Sequence, residues 1–178
     1  MFGDIGYRKY DKVDMDEEEK EEEEFQDNEA RIPRRLKPST GQYSAMIKSN
    51  IAKGDLSSAL DVLTLVKTNR DKPTAYMYNL LIRAYAVQGN IDQCFSLYNK
   101  MKKRQLKPTL ATYNSLFNAC AESKNSTKAI EKLNKLRFHL HEIGYILNET
   151  HYNTLVKAYS WHNHLLQAFE QYLIKKQE

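Results

Sequence analysis

The stretch that decides the fold is KPTLATYNSLFNACAES, residues 107–123. The same pattern precedes it in KPTAYMYNLLIRAYAVQ (residues 72–88) and KPSTGQYSAMIKSNIAK (residues 37–53), and follows it in ILNETHYNTLVKAYSWH (residues 146–162). The shared tyrosines are spaced 35, 35 and 39 residues apart, at Tyr43, Tyr78, Tyr113 and Tyr152. A tandem repeat of this length is typical of a solenoid of small helical units.

Each unit predicts a pair of helices. Apolar residues spaced three and four apart begin at the tyrosine, as in Tyr78, Leu81 and Tyr85, so a first helix is expected from there. Proline ends the first units because it does not continue a helix. After a polar break, second helices are expected to begin at Leu56, Ile91 and Ser126. A small residue lets the paired helices approach closely, at Ala59, Cys94, Ala129 and Ala168.

The third unit is four residues longer than the first two, which is about one turn of helix. The excess lies between Ala129 and Asn148, so a lengthened second helix over Glu131–Glu142 is expected to stop near Gly144. The fourth unit is expected to be incomplete. The predicted fold is all-α, a right-handed helical-repeat solenoid over residues 36–178, with units at about 40–74, 75–109, 110–148 and 149–178.

Residues 1–35 are predicted to form an acidic, disordered tail. Residues 1–30 carry 13 acidic and 4 basic side chains, whereas the rest of the chain has a net charge of +13. Residues 11–24 have almost no apolar side chains to bury, so they do not offset the entropy of folding. The tail is interpreted either as a solubilising linker or as an electrostatic screen that discourages non-specific binding of polyanions to the basic body.

Several classes of protein are excluded by the residues present. Two cysteines, Cys94 and Cys120, make no disulfide framework or zinc ribbon, and no apolar run approaches the roughly 20 residues of a membrane helix. The pairs His139/His141 and His162/His164 are two residues apart, on opposite sides of a helix, so they do not chelate a metal together. Since no catalytic constellation or phosphate loop is present, a protein without enzymatic activity, metal or cofactor is expected.

The opening and closing motifs of the units resemble those of the pentatricopeptide repeat family. The opening motif is MYNLLI at residue 77, TYNSLF at residue 112 and HYNTLV at residue 151, and the closing motif is MKKRQLKPT at residue 101. The resemblance covers residues 36–178 and implies a solenoid that binds single-stranded RNA. A closer likeness within the family, carried by residues 111–123, implies a mitochondrial matrix protein that binds transfer RNA and acts with RNA-processing enzymes in its 3′ processing. Residues 1–30 lack the character of a transit peptide, so the compartment rests on the resemblance.

The resemblance also implies which residues contact RNA, with each tyrosine counted as position 4. Positions 2, 5 and 9 share one face of the first helix, which is expected to line the concave surface. A short polar residue at position 5 hydrogen-bonds one base per unit: Ser44, Asn79, Asn114 and Asn153. In the family, the residue at position 35 completes that contact: Thr74, Thr109 and Asn148. The alternative role for the position-5 residues is helix capping.

Positions 2 and 9 are expected to flank the bases and to meet the phosphates. Tyr76 at position 2 is a candidate for base stacking, with packing between units as the alternative. The cations at position 9 are Lys48, Arg83 and Lys157, with a solvated charged face as the alternative. The resemblance implies a purine at Ser44/Thr74 and pyrimidines at the asparagine units. A protein-interaction scaffold is the alternative function, and the net +13 of the body favours RNA.

Overall fold

The computed structural model describes residues 37–177, so the acidic tail predicted for residues 1–35 lies outside the described residues. Within residues 37–177 the chain forms α-helices and no strand, which confirms the all-α fold. The eight helices are α1 (Thr40–Ala52), α2 (Leu56–Thr68), α3 (Ala75–Val87), α4 (Ile91–Lys103), α5 (Leu110–Glu122), α6 (Ser126–Glu142), α7 (Glu149–Trp161) and α8 (Leu165–Gln177). Within this part of the chain, no helix is long and apolar enough to cross a membrane.

The first helix of each unit begins three residues before its tyrosine, so the prediction that it begins at the tyrosine was wrong. The reason is the residue just before each helix, which stands at the N-cap. Thr74 Oγ1 accepts a hydrogen bond from the Met77 N–H at 3.3 Å, and Asn148 Oδ1 accepts one from the His151 N–H at 3.1 Å. These caps satisfy backbone donors that would otherwise lack a partner and set the helix start.

The second helices α2, α4 and α6 begin at the predicted residues, Leu56, Ile91 and Ser126. Each is capped by the residue before it, Asp55, Asn90 or Asn125, whose side chain accepts from the backbone N–H three residues on. The lengthened helix is also confirmed. Helix α6 has 17 residues where α2 and α4 have 13, and it ends at Glu142 just before Gly144.

Packing between equivalent helices builds the solenoid. Helix α1 packs on α3, α3 on α5 and α5 on α7, while the second helices α2 and α4 pack on the first helix of the next unit. The repeated tyrosines are buried, as are the small residues Ala59, Cys94 and Ala129 at 0% exposure. The apolar pairs Leu81/Ile82 and Leu116/Phe117 are also buried, whereas Met46 in the first unit is 38% exposed. The small residues are thus part of the packed core, in which α1 contacts α2 and α3 contacts α4.

Candidate nucleic-acid interface

The position-5 residues lie inside the first helices rather than at their ends. Asn79 is the fifth residue of α3, and Asn114 is the fifth residue of α5. The caps are instead the position-35 residues Thr74 and Asn148. The capping interpretation of position 5 was therefore wrong, since neither asparagine stands at a helix start.

Asn79 is held by a closed set of hydrogen bonds from the end of its own unit and the start of the next. Its Nδ2 donates to Thr109 Oγ1 at 3.3 Å, and its Oδ1 accepts from Thr112 Oγ1 at 2.6 Å. Thr112 is fully buried and also accepts the Thr109 backbone N–H at 2.9 Å. Positions 5 and 35 of this unit are thus in direct contact. One N–H and one lone pair of the Asn79 amide are left for a further partner.

Asn114 is held less firmly than Asn79. Its Oδ1 accepts a hydrogen bond from Thr154 Oγ1 at 3.0 Å. That hydroxyl has one hydrogen and also lies 2.9 Å from the Thr150 carbonyl, so the two acceptors compete for it. Asn148, the predicted position-35 partner, uses its side chain to cap α7 through His151.

The first unit does not pair its predicted base-contacting residues in this way. Ser44 is buried at 8% exposure, and its hydroxyl donates to the Thr40 carbonyl one turn back at 3.1 Å. Its predicted partner Thr74 is committed to capping α3. The only hydroxyl hydrogen of Ser44 is already used, so this unit offers less to a base than Asn79 does. In the fourth unit, Asn153 lies exposed on α7.

Two of the predicted RNA contacts meet between the first and second units. Lys48 Nζ lies 5.3 Å from the centre of the Tyr76 ring, which is half exposed. At that distance a cation is attracted to the face of an aromatic ring. Tyr76, the candidate for base stacking, and Lys48, a candidate for an RNA phosphate contact, thus form a single cationic aromatic surface.

The other two cations at position 9 differ in their surroundings. Lys157 Nζ lies 2.5 Å from Glu122 Oε1, the last residue of α5, so part of its charge is neutralised. Arg83 is exposed and has no ion pair among residues 37–177. Arg83 is therefore the stronger candidate for a phosphate contact.

Sequence reasoning missed the residues that orient the amides. Thr112 stands at position 3 and Thr154 at position 6 of the unit that follows the asparagine each one contacts. The only signal in the sequence was a hydroxyl residue in that following unit. A single period of the repeat does not reveal it, because the contacts join residues 33 and 40 positions apart.

Both cysteines and two of the histidines are buried in the helical packing. Burial raises the pKa of the Cys94 and Cys120 thiols to about 12, so both stay protonated at neutral pH. His151 and His162 are buried between helices, where His151 Nε2 donates to the Leu110 carbonyl and His162 Nε2 to the Cys120 carbonyl, at 3.1 and 2.7 Å. In the described range, no group of three or more His, Cys, Asp or Glu side chains could hold a metal ion.

These observations define the class of protein: a helical-repeat solenoid in which the first helices α3 and α5 each carry an asparagine oriented by hydrogen bonds. Residues 33–82 match the pentatricopeptide repeat domain, residues 73–122 the PPR repeat family, and residues 111–138 and 150–173 the PPR repeat. Together these matches cover most of the chain, which therefore belongs to the pentatricopeptide repeat family. Proteins of this family are generally RNA-binding helical-repeat proteins.

The fold is similar to one that has been solved. The crystal structure of the pentatricopeptide repeat protein PPR10 from maize superposes with a TM-score of 0.50 at 20% sequence identity. The similarity covers 79% of this chain and 24% of that chain, so the sequence spans about a quarter of the length of PPR10. No curated protein matches this chain. At this identity the similarity establishes the fold.

Proposed function

We propose that this protein binds single-stranded RNA along its first helices, without chemistry of its own. The observation that carries the proposal is the Asn79 amide, held by Thr109 and Thr112 at 3.3 and 2.6 Å with one donor and one acceptor left over. A base edge is read by such an oriented donor and acceptor. Tyr76 and Arg83 belong to the same helix, at the positions expected to flank the base and meet the phosphate.

The finer proposal places this activity in the mitochondrial matrix, on transfer RNA and its 3′ processing. Its support is the likeness of residues 111–123, and of the acidic segment before the repeats, to animal mitochondrial pentatricopeptide repeat domain-containing protein 1. In this role the protein positions RNA for a separate processing enzyme. Crosslinking in cells followed by sequencing of the attached RNA tests the proposal. Recovery of mitochondrial transfer RNA is expected, and recovery of no RNA would favour the protein-interaction scaffold.

The phosphate contacts are tested by salt titration of RNA binding. Arg83→Ala should weaken binding to all sequences about equally and lower the slope of log K against log salt by roughly one unit. The control is Lys53→Ala, an exposed lysine at the end of α1 that lies outside the predicted positions. If the two variants change the slope equally, attraction is diffuse and Arg83 has no particular role.

Base preference is tested by competition between short RNAs. Asn79 and Asn114 should each favour a pyrimidine, and Asn114→Ser should shift the third position of the site toward a purine. One wrong base is expected to cost roughly 1–3 kcal/mol, by analogy with a well-formed base contact in DNA. An unchanged preference in the Asn114→Ser variant would contradict one base per unit at that position.

A further inference from the structure

A cavity of about 250 Å³ lies at the carboxyl end of α6, and none of the residues proposed to contact RNA lines it. Its walls are largely apolar and include the rings of Tyr98, Tyr113 and Tyr145 and the side chain of Ile143. The rings pack edge to face, with centroids 6.1 Å apart for Tyr98 and Tyr113 and 4.7 Å apart for Tyr113 and Tyr145. The walls are therefore a continuous aromatic surface held in place by its own contacts.

The additional turn of α6 contributes to this cavity. The thirteenth residue of α6 is Phe138, which corresponds to the last residue of α2 and of α4. His139, Ile143 and Tyr145, which follow it, all line the cavity. The four extra residues of the third unit thus form a wall of the cavity that a second helix of 13 residues would not provide.

The cavity combines apolar walls with positive charge. Lys102 and Lys107 line it, and neither forms an ion pair with any residue in the described part of the chain. Lys102 Nζ lies 5.4 Å from the centre of the Tyr98 ring, and no carboxylate is among the lining residues. The hydroxyl of Tyr98 is buried beside Tyr113.

We propose that this cavity docks a segment of a partner protein in which one apolar side chain is flanked by carboxylates. The apolar side chain would lie against the tyrosine rings, and the carboxylates would face Lys102 and Lys107. The walls offer few hydrogen bonds to a nucleobase, whose edges need several, so a peptide is favoured over RNA. Ile146, 83% exposed just beyond Tyr145, extends the apolar surface on which such a segment could lie.

The experiment is fluorescence anisotropy with the full chain and labelled seven-residue peptides. Each peptide has three acidic residues on either side of a central Leu, Phe, Tyr or Gly. A central Leu, Phe or Tyr should bind at least about tenfold more tightly than Gly, as burial of one apolar side chain predicts. The double variant Lys102→Glu/Lys107→Glu should lose about tenfold or more in affinity for these peptides.

The matched control is Lys67→Glu/Lys72→Glu, which makes the same change of charge at the equivalent positions 35 residues earlier. It should retain peptide binding within about twofold, because that unit lacks the additional helical turn. Thermal melts of both variants establish that they are folded. The proposal fails if no peptide binds, if the Gly peptide binds equally well, or if both double variants lose the same affinity. It also fails if short RNA, rather than peptide, loses affinity when only the cavity lysines are reversed.

Discussion

The α3–α5 junction and the α5–α7 junction join equivalent helices with different chemistry. Between α3 and α5, small uncharged groups meet: Asn79 bonds Thr112, and Gly89 lies against the Glu122 backbone. Between α5 and α7, two buried imidazoles bridge the gap, from His151 to the Leu110 carbonyl and from His162 to the Cys120 carbonyl. The α3–α5 junction is closed by groups without bulk, whereas the α5–α7 junction is bridged by two imidazole rings. The two junctions should therefore respond differently to bulk and to pH.

The largest effect on stability should come from adding a side chain at Gly89, in the α3–α5 junction (the first junction, with the α5–α7 junction as the second). Gly89 has φ +65°, and a Cβ there would lie 2.4 Å from the Glu122 carbonyl oxygen. Gly89→Ala should therefore lower the free energy of unfolding by about 3 kcal/mol or more, through both backbone strain and overlap. Gly54 is the matched control, because it has φ +78° with nothing within 4 Å of its Cβ position.

Gly54→Ala carries the backbone strain alone and should cost about 1 kcal/mol. Urea denaturation of the two variants measures the difference in unfolding free energy. Equal losses would show that the two units do not approach closely at Gly89.

Removing an imidazole should have the next largest effect, at the second junction. His151 is buried at 1% exposure, packs edge to face on Phe117 and joins α7 to the Leu110 carbonyl. His151→Ala should lower the free energy of unfolding by about 2–4 kcal/mol, since it leaves a cavity and an unpaired carbonyl.

The first unit suggests the matched variant, His151→Gln. Gln42 occupies the same position there, and its Oε1 accepts the Ser39 N–H at 2.6 Å to complete the α1 cap. A glutamine at position 151 should therefore keep the capping contact and lose less stability than alanine. Chemical denaturation ranks the three proteins, and equal losses for Gln and Ala would mean that the capping contact contributes little.

The same histidine should make the second junction sensitive to pH. Burial lowers the pKa of His151 below its ordinary value of 6.5, so the folded protein binds fewer protons there than the unfolded chain does. Stability should therefore fall as the pH is lowered through 6.5 toward the pKa of the folded protein. Burial and the nearby Lys102 lower the pKa of His139 in the same direction.

Melting temperatures between pH 8 and pH 5 should be compared for the wild type, His151→Gln and His139→Gln. Each substitution should remove part of the decrease in melting temperature between pH 8 and pH 5. A decrease that persists unchanged in both variants would place the responsible group elsewhere.

A smaller effect should appear in base discrimination at the first junction. Thr112→Val keeps the shape of the side chain but removes the hydroxyl that orients the Asn79 amide. Discrimination between pyrimidines and purines at that unit should fall by about 1 kcal/mol, roughly fivefold, in competition binding. Thr112→Ser, which retains the hydroxyl, is the control and should discriminate like the wild type.

Thr154 is the equivalent orienting residue at the α5–α7 junction. Thr154→Val should change discrimination at Asn114 less than Thr112→Val does at Asn79, because the Thr154 hydrogen is shared with the Thr150 carbonyl. A larger change for Thr154→Val would mean that the shared Thr154 hydroxyl orients Asn114 more strongly than Thr112 orients Asn79.

The smallest effect should come from the ion pair between Lys157 and Glu122. Glu122→Gln removes the carboxylate 2.5 Å from the lysine and should tighten RNA binding about twofold at low salt. The gain should vanish at high salt, where exposed charges are screened. Filter binding at two salt concentrations measures it, and weaker RNA binding by Glu122→Gln would contradict a phosphate contact at Lys157.

The sequence by itself determined the helix pairs and their approximate limits, because these depend on local signals. Leu56, Ile91 and Ser126 each follow a capping residue and begin an apolar pattern, so the second helices begin where predicted. The additional turn of α6 follows from a count of residues. The starts of the first helices were missed by three residues because the cap, rather than the tyrosine, sets the first turn.

Only the tertiary structure decided how the candidate RNA contacts are held. The equivalent residues Asn79 and Asn114 have the same identity and repeat position, yet Thr112 closes a network around the first while Thr154 shares its hydrogen at the second. Lys157 is paired with a residue 35 positions earlier. These contacts depend on the register between neighbouring units. Periodicity within one unit does not determine that register, which is set by the side chains that meet when the units pack.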